Sequence, residues 1–418
     1  MKIRIRFPIL STRSTRSALS ALSALSASAL SALLVACGGG GSADAPVAAA
    51  PSAAPSAASS VAPSVAPTGA VSALTSINVA GLADYRLTLP AYYDATVTPI
   101  DNEPAADTDS NAVATLGRVL FYDKQLSVNN AVACASCHQA AVGFGDPNRF
   151  STGFAGNAFT TAHSMRLGNV RYWQPASMFW DRRAATLEEQ ASQPIQHPVE
   201  MGFDASAGGL QTLFAKLGAL PYYQELFTLA YGDAGINEAR LQTALVQFQR
   251  ALVSTSSRWD VGYAQVFNPD LPDRGLNTPI PGFTAAEDRG RELFMGRATN
   301  CSACHIPPTF SLAGNSRSNG LDAGESRLFK SPSLKNVALS GAFMHDGRLA
   351  TLEAVIDHYD SGVQAGPSLD RRLQASDGSP RRLNLSAEDK AALVAFMRTL
   401  SDDNLNRDPR FANPFLVP

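Results

Sequence analysis

Apolar residues recur at helical spacing in both halves of the chain, and the runs follow the same order in each half. In the second half, residues 284–287 (TAAE) form a capping box that opens an amphipathic run through Gly290 to Phe294. Residues 116–121 (LGRVLF) repeat this pattern in the first half, and helix-period stretches at residues 241–253 and 386–400 close the two halves. The pattern predicts a mostly α-helical, all-α fold with an internal duplication.

A proline-rich stretch at residues 268–281 separates the two repeated units and indicates a hinge. We therefore predict one domain at residues 82–267 and a second at residues 282–418. The composition, with 45% hydrophobic and 17% charged residues, is typical of globular domains. The chain has 34 basic residues against 36 acidic ones and no block of like charge, so the sequence does not favour a nucleic-acid-binding protein.

The first 37 residues have the pattern of an export signal. Five basic residues precede a stretch rich in serine, alanine and leucine, which ends in LVAC at residues 34–37 and is followed by glycines. This ending resembles the lipobox of bacterial lipoproteins, so we predict a lipid anchor at Cys37 and no other membrane association. An ordinary signal peptide is the alternative, and both place the protein in the periplasm or cell envelope. Residues 38–81, rich in alanine, proline and serine, are predicted to form a flexible stalk.

Two copies of C-x-x-C-H carry the strongest chemical signal in the sequence. One helical turn presents two thiols to the two vinyl groups of a single porphyrin, and the next histidine binds the iron as proximal ligand. A zinc ribbon needs closer spacing of the two pairs, and redox dithiols or structural cysteines do not need the histidines. We therefore predict two covalently bound haem c groups. The residues that hold them are Cys134, Cys137 and His138 in the first motif and Cys301, Cys304 and His305 in the second.

Residues 116 to about 400 resemble the bacterial di-haem cytochrome c peroxidases, in the wider group that includes MauG-type enzymes. The resemblance implies two cytochrome c-like domains whose haems face the domain interface. It implies that the N-terminal haem reacts with hydrogen peroxide and that the C-terminal haem receives electrons from a small cytochrome c or blue-copper protein. It also implies a homodimer. Besides the haem motifs, the resemblance is carried by residues 116–121 (LGRVLF), 143–144 (GF), 179–184 (FWDRRA), 187–190 (LEEQ), 198–202 (PVEMG) and 344–347 (MHDG).

The resemblance also assigns roles to residues around the first haem. Glu200 matches the distal carboxylate that serves as general acid and base, and heterolysis of peroxide needs a proton moved from one oxygen to the other. Gln190 matches a polar distal neighbour, and Trp180 matches a tryptophan that lies between the two haems. The alternatives are a salt bridge between Glu200 and Arg182 or Arg183, and a core packing role for Trp180.

Three further residues have weaker assignments. Some peroxidases close the resting first haem with a loop histidine, and His163 lies in the corresponding region; a hydrogen-bonding or surface role is the alternative. His197 either lines the distal pocket or is exposed. Asn169 matches a ligand of one calcium ion between the domains, together with backbone carbonyls near Ser340 and Ala342.

The sixth ligand of the second haem departs from typical peroxidases. The position of their methionine falls at Tyr359, with His358 beside it, and MauG-type enzymes carry a tyrosine there. Met344 is a further candidate, and its neighbour His345 is expected to reach a haem propionate. Methionine ligation raises a haem potential, whereas tyrosinate or histidine stabilises ferric states, so the ligand bears on function.

The sequence thus indicates an oxidoreductase of the cytochrome c peroxidase type. We expect it to reduce hydrogen peroxide to water. The first alternative is a MauG-type enzyme that uses peroxide to oxidise a protein or organic substrate, and the second is an electron carrier without catalysis.

Overall fold

The computed structural model describes residues 69–104, 109–174, 177–312, 314 and 316–416, so Cys37 and the predicted export signal lie outside the described residues. In this part of the chain the regular structure is helical, and the only β-pairs are isolated bridges. The prediction of a mostly helical fold is confirmed. The α-helices are α1 (Ala70–Leu74), α2 (Asn111–Tyr122), α3 (Cys134–Cys137), α4 (Leu187–Gln196), α5 (Gly209–Gly218), α6 (Pro221–Tyr231), α7 (Glu238–Arg250), α8 (Arg258–Val266), α9 (Ala285–Met295), α10 (Leu352–Asp357), α11 (Ala387–Arg398) and α12 (Asp403–Arg407).

Several helices begin at a residue whose side chain caps the first turn. The capping box predicted at residues 284–287 is present, because the Thr284 side chain accepts the Glu287 N–H and the Glu287 carboxylate accepts the Thr284 N–H. Ser386 caps α11 in the same way through the Asp389 N–H. No helix in the described ranges combines the length and the apolar composition that a membrane span requires.

The internal duplication is visible as two equivalent pairs of packed helices. α2 crosses α7 where Gly117 faces Ala244, and α9 crosses α11 where Gly290 faces Ala392. A Cβ at Gly117 would lie 1.8 Å from the Ala244 carbonyl oxygen, and one at Gly290 would lie 1.9 Å from that of Ala392. Glycine is therefore needed at both crossings, because any side chain would separate the helices.

Each helix pair lies in its own hydrophobic core, but each core also contains residues from the other half of the chain. The first core contains α2 and α7 and also takes Leu405 and Phe411 from the C-terminal segment. The second contains α9 and α11 and also takes Tyr92 and Trp259 from the first half. The division between the cores therefore does not follow the predicted hinge, and the two-domain organisation stays a prediction.

The end of the predicted stalk belongs to the fold. Residues 69–81 were assigned to the stalk by composition, yet α1 lies there and Val71 is fully buried in the first core. The Val71 N–H also donates to the Glu225 carboxylate at 3.1 Å. A few apolar residues at the end of a small-residue tract thus find a partner surface that composition cannot reveal.

Candidate functional site

The first C-x-x-C-H motif forms the single helical turn α3. Its thiols are shielded from water, and burial raises the pKa of Cys134 to about 12 and that of Cys137 to about 11. The Nδ1 atom of His138 lies 3.2 Å from the carbonyl oxygen of Phe144. A carbonyl can only accept, so Nδ1 carries the proton and Nε2 is the nitrogen left to bind a metal.

The second motif repeats this arrangement. Cys301–Ala303 forms a short 3₁₀ turn, and His305 Nδ1 donates to the carbonyl of Phe310 at 3.3 Å. Burial lowers the pKa of His305 to about 4, so its imidazole is neutral at neutral pH. A neutral imidazole with Nδ1 fixed by a carbonyl is the form in which histidine binds iron.

Two phenylalanines that support the proximal histidines share an unusual backbone. Phe144 and Phe310 are fully buried and have φ values of 60° and 53°. Positive φ is uncommon for a residue with a large side chain, and here it turns the carbonyl toward the histidine ring. Phe144 belongs to a motif of the family resemblance, whereas no sequence motif singled out Phe310. The signal was a phenylalanine five or six residues after each histidine.

The cysteines and histidines of the two motifs fit covalently bound haem better than a zinc site, a redox dithiol or structural cysteines. The four cysteines of the two motifs form no disulfide in the described structure, and they lie in two pairs, each on one turn with a histidine beside it. Among the described residues, no group of three or more histidine, cysteine, aspartate or glutamate side chains is arranged to hold a metal ion. A zinc site would need four such ligands, whereas haem needs only the two thiols and one imidazole.

A large cavity adjoins the second motif. Its empty volume is about 1580 Å³ with the space open to solvent included, and Cys301, Cys304 and His305 line one part of it. Much of the remaining wall is apolar and comes from α9, α10, α11 and the loops between them. The apolar residues include Phe294, Phe329, Leu334, Val337, Phe343, Leu352, Val355, Ile356, Leu393 and Met397.

The three candidates for the sixth ligand differ in their placement. Tyr359 and Met344 line the cavity. His358 does not, and its Nε2 atom lies 3.1 Å from the Asn319 carbonyl oxygen. The Asn319 amide also donates to the Met344 sulfur at 3.2 Å. Burial raises the pKa of Tyr359 to about 12, with the Asn319 side chain opposing the shift.

Glu200 lies beside the first motif, in the loop after α4. Its charge contributes to the raised pKa values of Cys134 and Cys137, and burial raises the pKa of Glu200 itself. The Nδ1 atom of His197 lies 3.8 Å from Glu200 Oε1 and 3.3 Å from the Val199 and Glu200 backbone nitrogens. His197 is thus next to the carboxylate while its ring remains substantially exposed.

The salt bridge weighed as an alternative role for Glu200 is absent from the described contacts. Arg183 pairs with Asp181 at 2.9 Å, and Arg182 donates to the Ser177 hydroxyl and the Ser316 carbonyl. The positive charge of Arg183 opposes the rise in the Glu200 pKa, but no guanidinium forms an ion pair with this carboxyl in the described contacts, so it is available for proton transfer. Gln190 lies ten residues earlier in α4 and is half-buried.

Trp180 joins the two halves of the chain. Its indole N–H donates to the His163 carbonyl at 2.7 Å, and its own carbonyl accepts the Lys330 N–H at 2.8 Å. Its side chain lines the cavity of the second motif. Trp180 therefore contacts both halves of the chain, and its position between two haems stays a prediction.

His163 lies on the wall of the same cavity and is buried. Its Nδ1 atom lies 3.0 Å from the Asn148 carbonyl oxygen and 3.2 Å from that of Arg149, so Nδ1 carries the proton. Its Nε2 atom is buried without a hydrogen-bond partner among the described residues. The lone pair of Nε2 is therefore free, and a gating role at the first haem stays a prediction.

The residues expected to bind calcium have protein partners instead. The Asn169 side-chain oxygen accepts the Ser254 N–H at 2.8 Å, and its amide donates to the Tyr93 hydroxyl. The Ala342 carbonyl accepts the Ser340 hydroxyl at 2.7 Å. These contacts hold Asn169 in its buried position, and calcium binding stays a prediction.

Comparison with known proteins agrees with the site. The family model for di-haem cytochrome c peroxidase matches residues 111–265. The methylamine utilization protein MauG of Methylorubrum extorquens is 33% identical over 315 residues, which cover 71% of this chain and 80% of that protein. The cytochrome c551 peroxidase of Nitrosomonas europaea is 29% identical over 361 residues, covering 79% and 93%.

Two solved structures have a similar fold. A MauG-like protein associated with microbial copper homeostasis has a TM-score of 0.61 and 28% identity, and the match covers 79% of this chain and 99% of that one. The diheme peroxidase BthA of Burkholderia thailandensis has a TM-score of 0.54 at 23% identity, covering 76% and 93%.

The chain therefore belongs to the di-haem cytochrome c peroxidase and MauG family, a family of oxidoreductases. Both peroxidases and MauG proteins are among its relatives. The family implies two haem c groups, one for each C-x-x-C-H motif.

Proposed function

We propose that this enzyme reduces hydrogen peroxide to water at the haem of the first motif, with electrons from a small cytochrome c or blue-copper protein that enter through the haem of the second. The observation that carries the proposal is the Glu200 carboxyl. It lies beside the first motif, it has no guanidinium partner among the described contacts, and burial raises its pKa. A carboxyl whose pKa is raised by burial is suited to take up a proton and release it again during the reaction.

When bound, the haems supply the iron that takes up peroxide and the path for the two electrons. Reduction of one peroxide consumes two electrons and two protons and releases two water molecules. Glu200 would take a proton from one oxygen of the peroxide and return it to the other, which then leaves as water. Trp180 supplies an aromatic ring between the two halves, with its N–H held by the His163 carbonyl.

Replacement of Glu200 by glutamine tests this proposal. Glutamine preserves the size of the side chain but cannot accept the proton, so we expect peroxide turnover with a reduced c-type cytochrome to fall about 10²- to 10⁴-fold. Because burial raises the Glu200 pKa, the wild-type rate should fall with decreasing pH below a midpoint that lies above 4.5. The exposed Glu353→Gln serves as the control and should keep the wild-type rate. An undiminished rate in Glu200→Gln would remove the acid–base assignment.

Tyr359 favours a second candidate function, MauG-type oxidation of a protein or organic substrate. It lines the same cavity as Leu393 and Met397 of α11, whereas the His358 ring is hydrogen-bonded to the Asn319 carbonyl. Tyrosinate ligation stabilises oxidised haem, and an enzyme that stores oxidising equivalents for a second substrate benefits from this. Relatives named MauG are 33% and 32% identical to this chain, which supports the same candidate.

The remaining assignments concern location and assembly. We propose export to the periplasm with a lipid anchor at Cys37, in agreement with c-type haem attachment, and a homodimer as the family resemblance implies. Replacement of Cys37 by alanine should move the protein from the membrane fraction to the soluble periplasmic fraction. Retention in the membrane fraction would argue against the anchor.

A further inference from the structure

The cavity of the second motif has an excess of positive charge. Asp370 is the single carboxylate among its lining residues in the described structure, and it is held by Arg372 through two contacts of 2.7 Å and 2.8 Å. Arg166 and Lys330 line the same cavity and have no carboxylate partner among the described residues. Lys330 is buried and Arg166 is partly buried with a buried Nε atom. A cation removed from water without an anion is unfavourable, so this pair points to a ligand that supplies negative charge.

Arg166 belongs to the first half of the chain. Its side chain packs over Gly145, where an added Cβ would lie 2.8 Å from Arg166 Cγ. Its Nε atom is buried without a hydrogen-bond partner among the described residues. Burial is the one cause that lowers the pKa of this guanidinium, to about 10, so it stays charged at neutral pH. Its N–H donors are thus available to an acceptor that enters the cavity.

Lys330 belongs to the second half and is 5% exposed. Its Nζ atom lies 3.6 Å from the Met165 sulfur and 4.8 Å from the centre of the Trp173 ring, which are weak partners for an ammonium group. Burial lowers its pKa to about 7, and a neighbouring carboxylate would restore its charge. Met165 and Trp173 come from the first half, so the Lys330 side chain lies where the two halves meet.

The ligand must therefore have an apolar body for the aromatic and aliphatic walls and at least one carboxylate for the two cations. We propose that Arg166 and Lys330 bind the propionates of the haem attached at Cys301 and Cys304, one cation from each half of the chain. The proposal rests on haem attachment at the second motif and is independent of whether the enzyme is a peroxidase or a MauG-type oxidase. The propionates would thereby hold the two halves together through ion pairs.

Bound cations also change the electronic properties of the haem. Positive charge near the propionates favours the ferrous state, which carries one positive charge fewer than the ferric state. Removal of either cation should therefore lower the reduction potential of this haem and leave that of the first haem nearly unchanged. A purely structural role for the two side chains would not produce such a selective shift.

The experiment is a spectroelectrochemical titration of the full-length holoprotein and of Lys330→Met and Arg166→Met. The haem of the second motif is identified as the one whose signal is lost in His305→Gly. We expect a shift of that haem to lower potential in both neutral variants. Lys330→Arg and Arg166→Lys keep the charge and should retain most of the wild-type potential. The exposed Lys124→Met, which removes one charge outside the cavity, is the control for net charge.

The possible results separate clearly. Wild-type potentials in both neutral variants, with two haems per chain, would overturn the proposal, and so would a shift confined to the first haem. If a neutral variant fails to accumulate but its charge-keeping counterpart does accumulate, the result supports the need for a cation at that position. If both variants fail to accumulate, the position requires the shape of the native side chain, and the proposal is overturned. Absence of haem from the second motif of the wild-type protein would instead refute the attachment on which the proposal rests.

Discussion

At the scale of single residues, Asn319 separates the candidate ligands of the second haem. Its carbonyl accepts from His358, and its side-chain amide donates to the sulfur of Met344. The π-helical turn His358–Gly362 follows α10 directly, and it turns two adjacent side chains to different surroundings. Such turns alter the side-chain register of a helix and occur often at functional sites. Of the two candidates that line the cavity, Tyr359 and Met344, Tyr359 is the one that offers an oxygen atom, and its ligation of the iron stays a prediction.

Replacement of Tyr359 by phenylalanine tests this ligand. If Tyr359 binds the iron, the variant should lose the low-spin His/Tyr signal of one haem in the electron paramagnetic resonance spectrum. It should also lose any long-lived oxidised form that peroxide generates without a reductant. Tyr172→Phe is the matched control, because the Tyr172 hydroxyl is buried without a hydrogen-bond partner in the described structure. An unchanged spectrum of the Tyr359 variant would transfer the assignment to Met344.

At the scale of elements, each haem motif lies in the chain between the two helices of an equivalent pair, α2 and α7 for the first motif and α9 and α11 for the second. In each pair a glycine of the first helix contacts the backbone of the second, and a phenylalanine lies one turn further along, Phe248 in α7 and Phe396 in α11. The capping box at residues 284–287 could be predicted from sequence because capping is a local interaction. The close approach at the glycines could not, since it depends on a partner helix about 100 residues away in the sequence.

Replacement of Gly117 by alanine should destabilise the first core. The new Cβ would meet the Ala244 carbonyl oxygen at 1.8 Å and the Phe248 Cβ at 3.0 Å, so the helices must separate. We expect the free energy of unfolding to fall by about 1–3 kcal/mol or more, measured by denaturant titration of the holoprotein with circular dichroism.

Gly218→Ala provides the control for this substitution. Gly218 ends α5, and a Cβ added there would have no atom within 4 Å, so alanine should be neutral or should stabilise by up to about 1 kcal/mol. Equal stability of the Gly117 and Gly218 variants would contradict the tight crossing.

At the scale of the whole molecule, the segments near the two ends of the described structure connect regions that are distant in sequence. The Tyr122 hydroxyl donates to the Phe411 carbonyl at 2.6 Å, and Arg118 Nε donates to the Ala412 carbonyl at 2.8 Å. Thr75 and Phe415 form an antiparallel bridge. The C-terminal segment therefore completes the first core, although it follows the second haem motif.

Deletion of residues 409–418 should accordingly weaken the first core more than the second. We expect hydrogen exchange, measured by mass spectrometry, to increase in α2 and α7 while α9 and α11 keep their protection, because Phe411 is buried against Tyr85 and Phe248. Phe411→Ala should produce a smaller change in the same helices. Loss of protection confined to α9 and α11 would contradict the exchange of residues between the cores.

The sequence by itself determined the features that depend on short-range spacing. Two thiols and a histidine on one turn identify haem attachment, and caps and helical periodicity predict α9 and α11 within about two residues. Tertiary structure decided the features that depend on distant partners. The sequence around Lys330 does not indicate that its ammonium group lies among apolar partners. Its contacts with Met165 and Trp173, residues far away in the sequence, show this. The separation of His358 from Tyr359 likewise depends on Asn319, 39 residues earlier. Local spacing therefore determines which groups can bind haem, and long-range packing determines which of the candidate ligands line the cavity of the second motif.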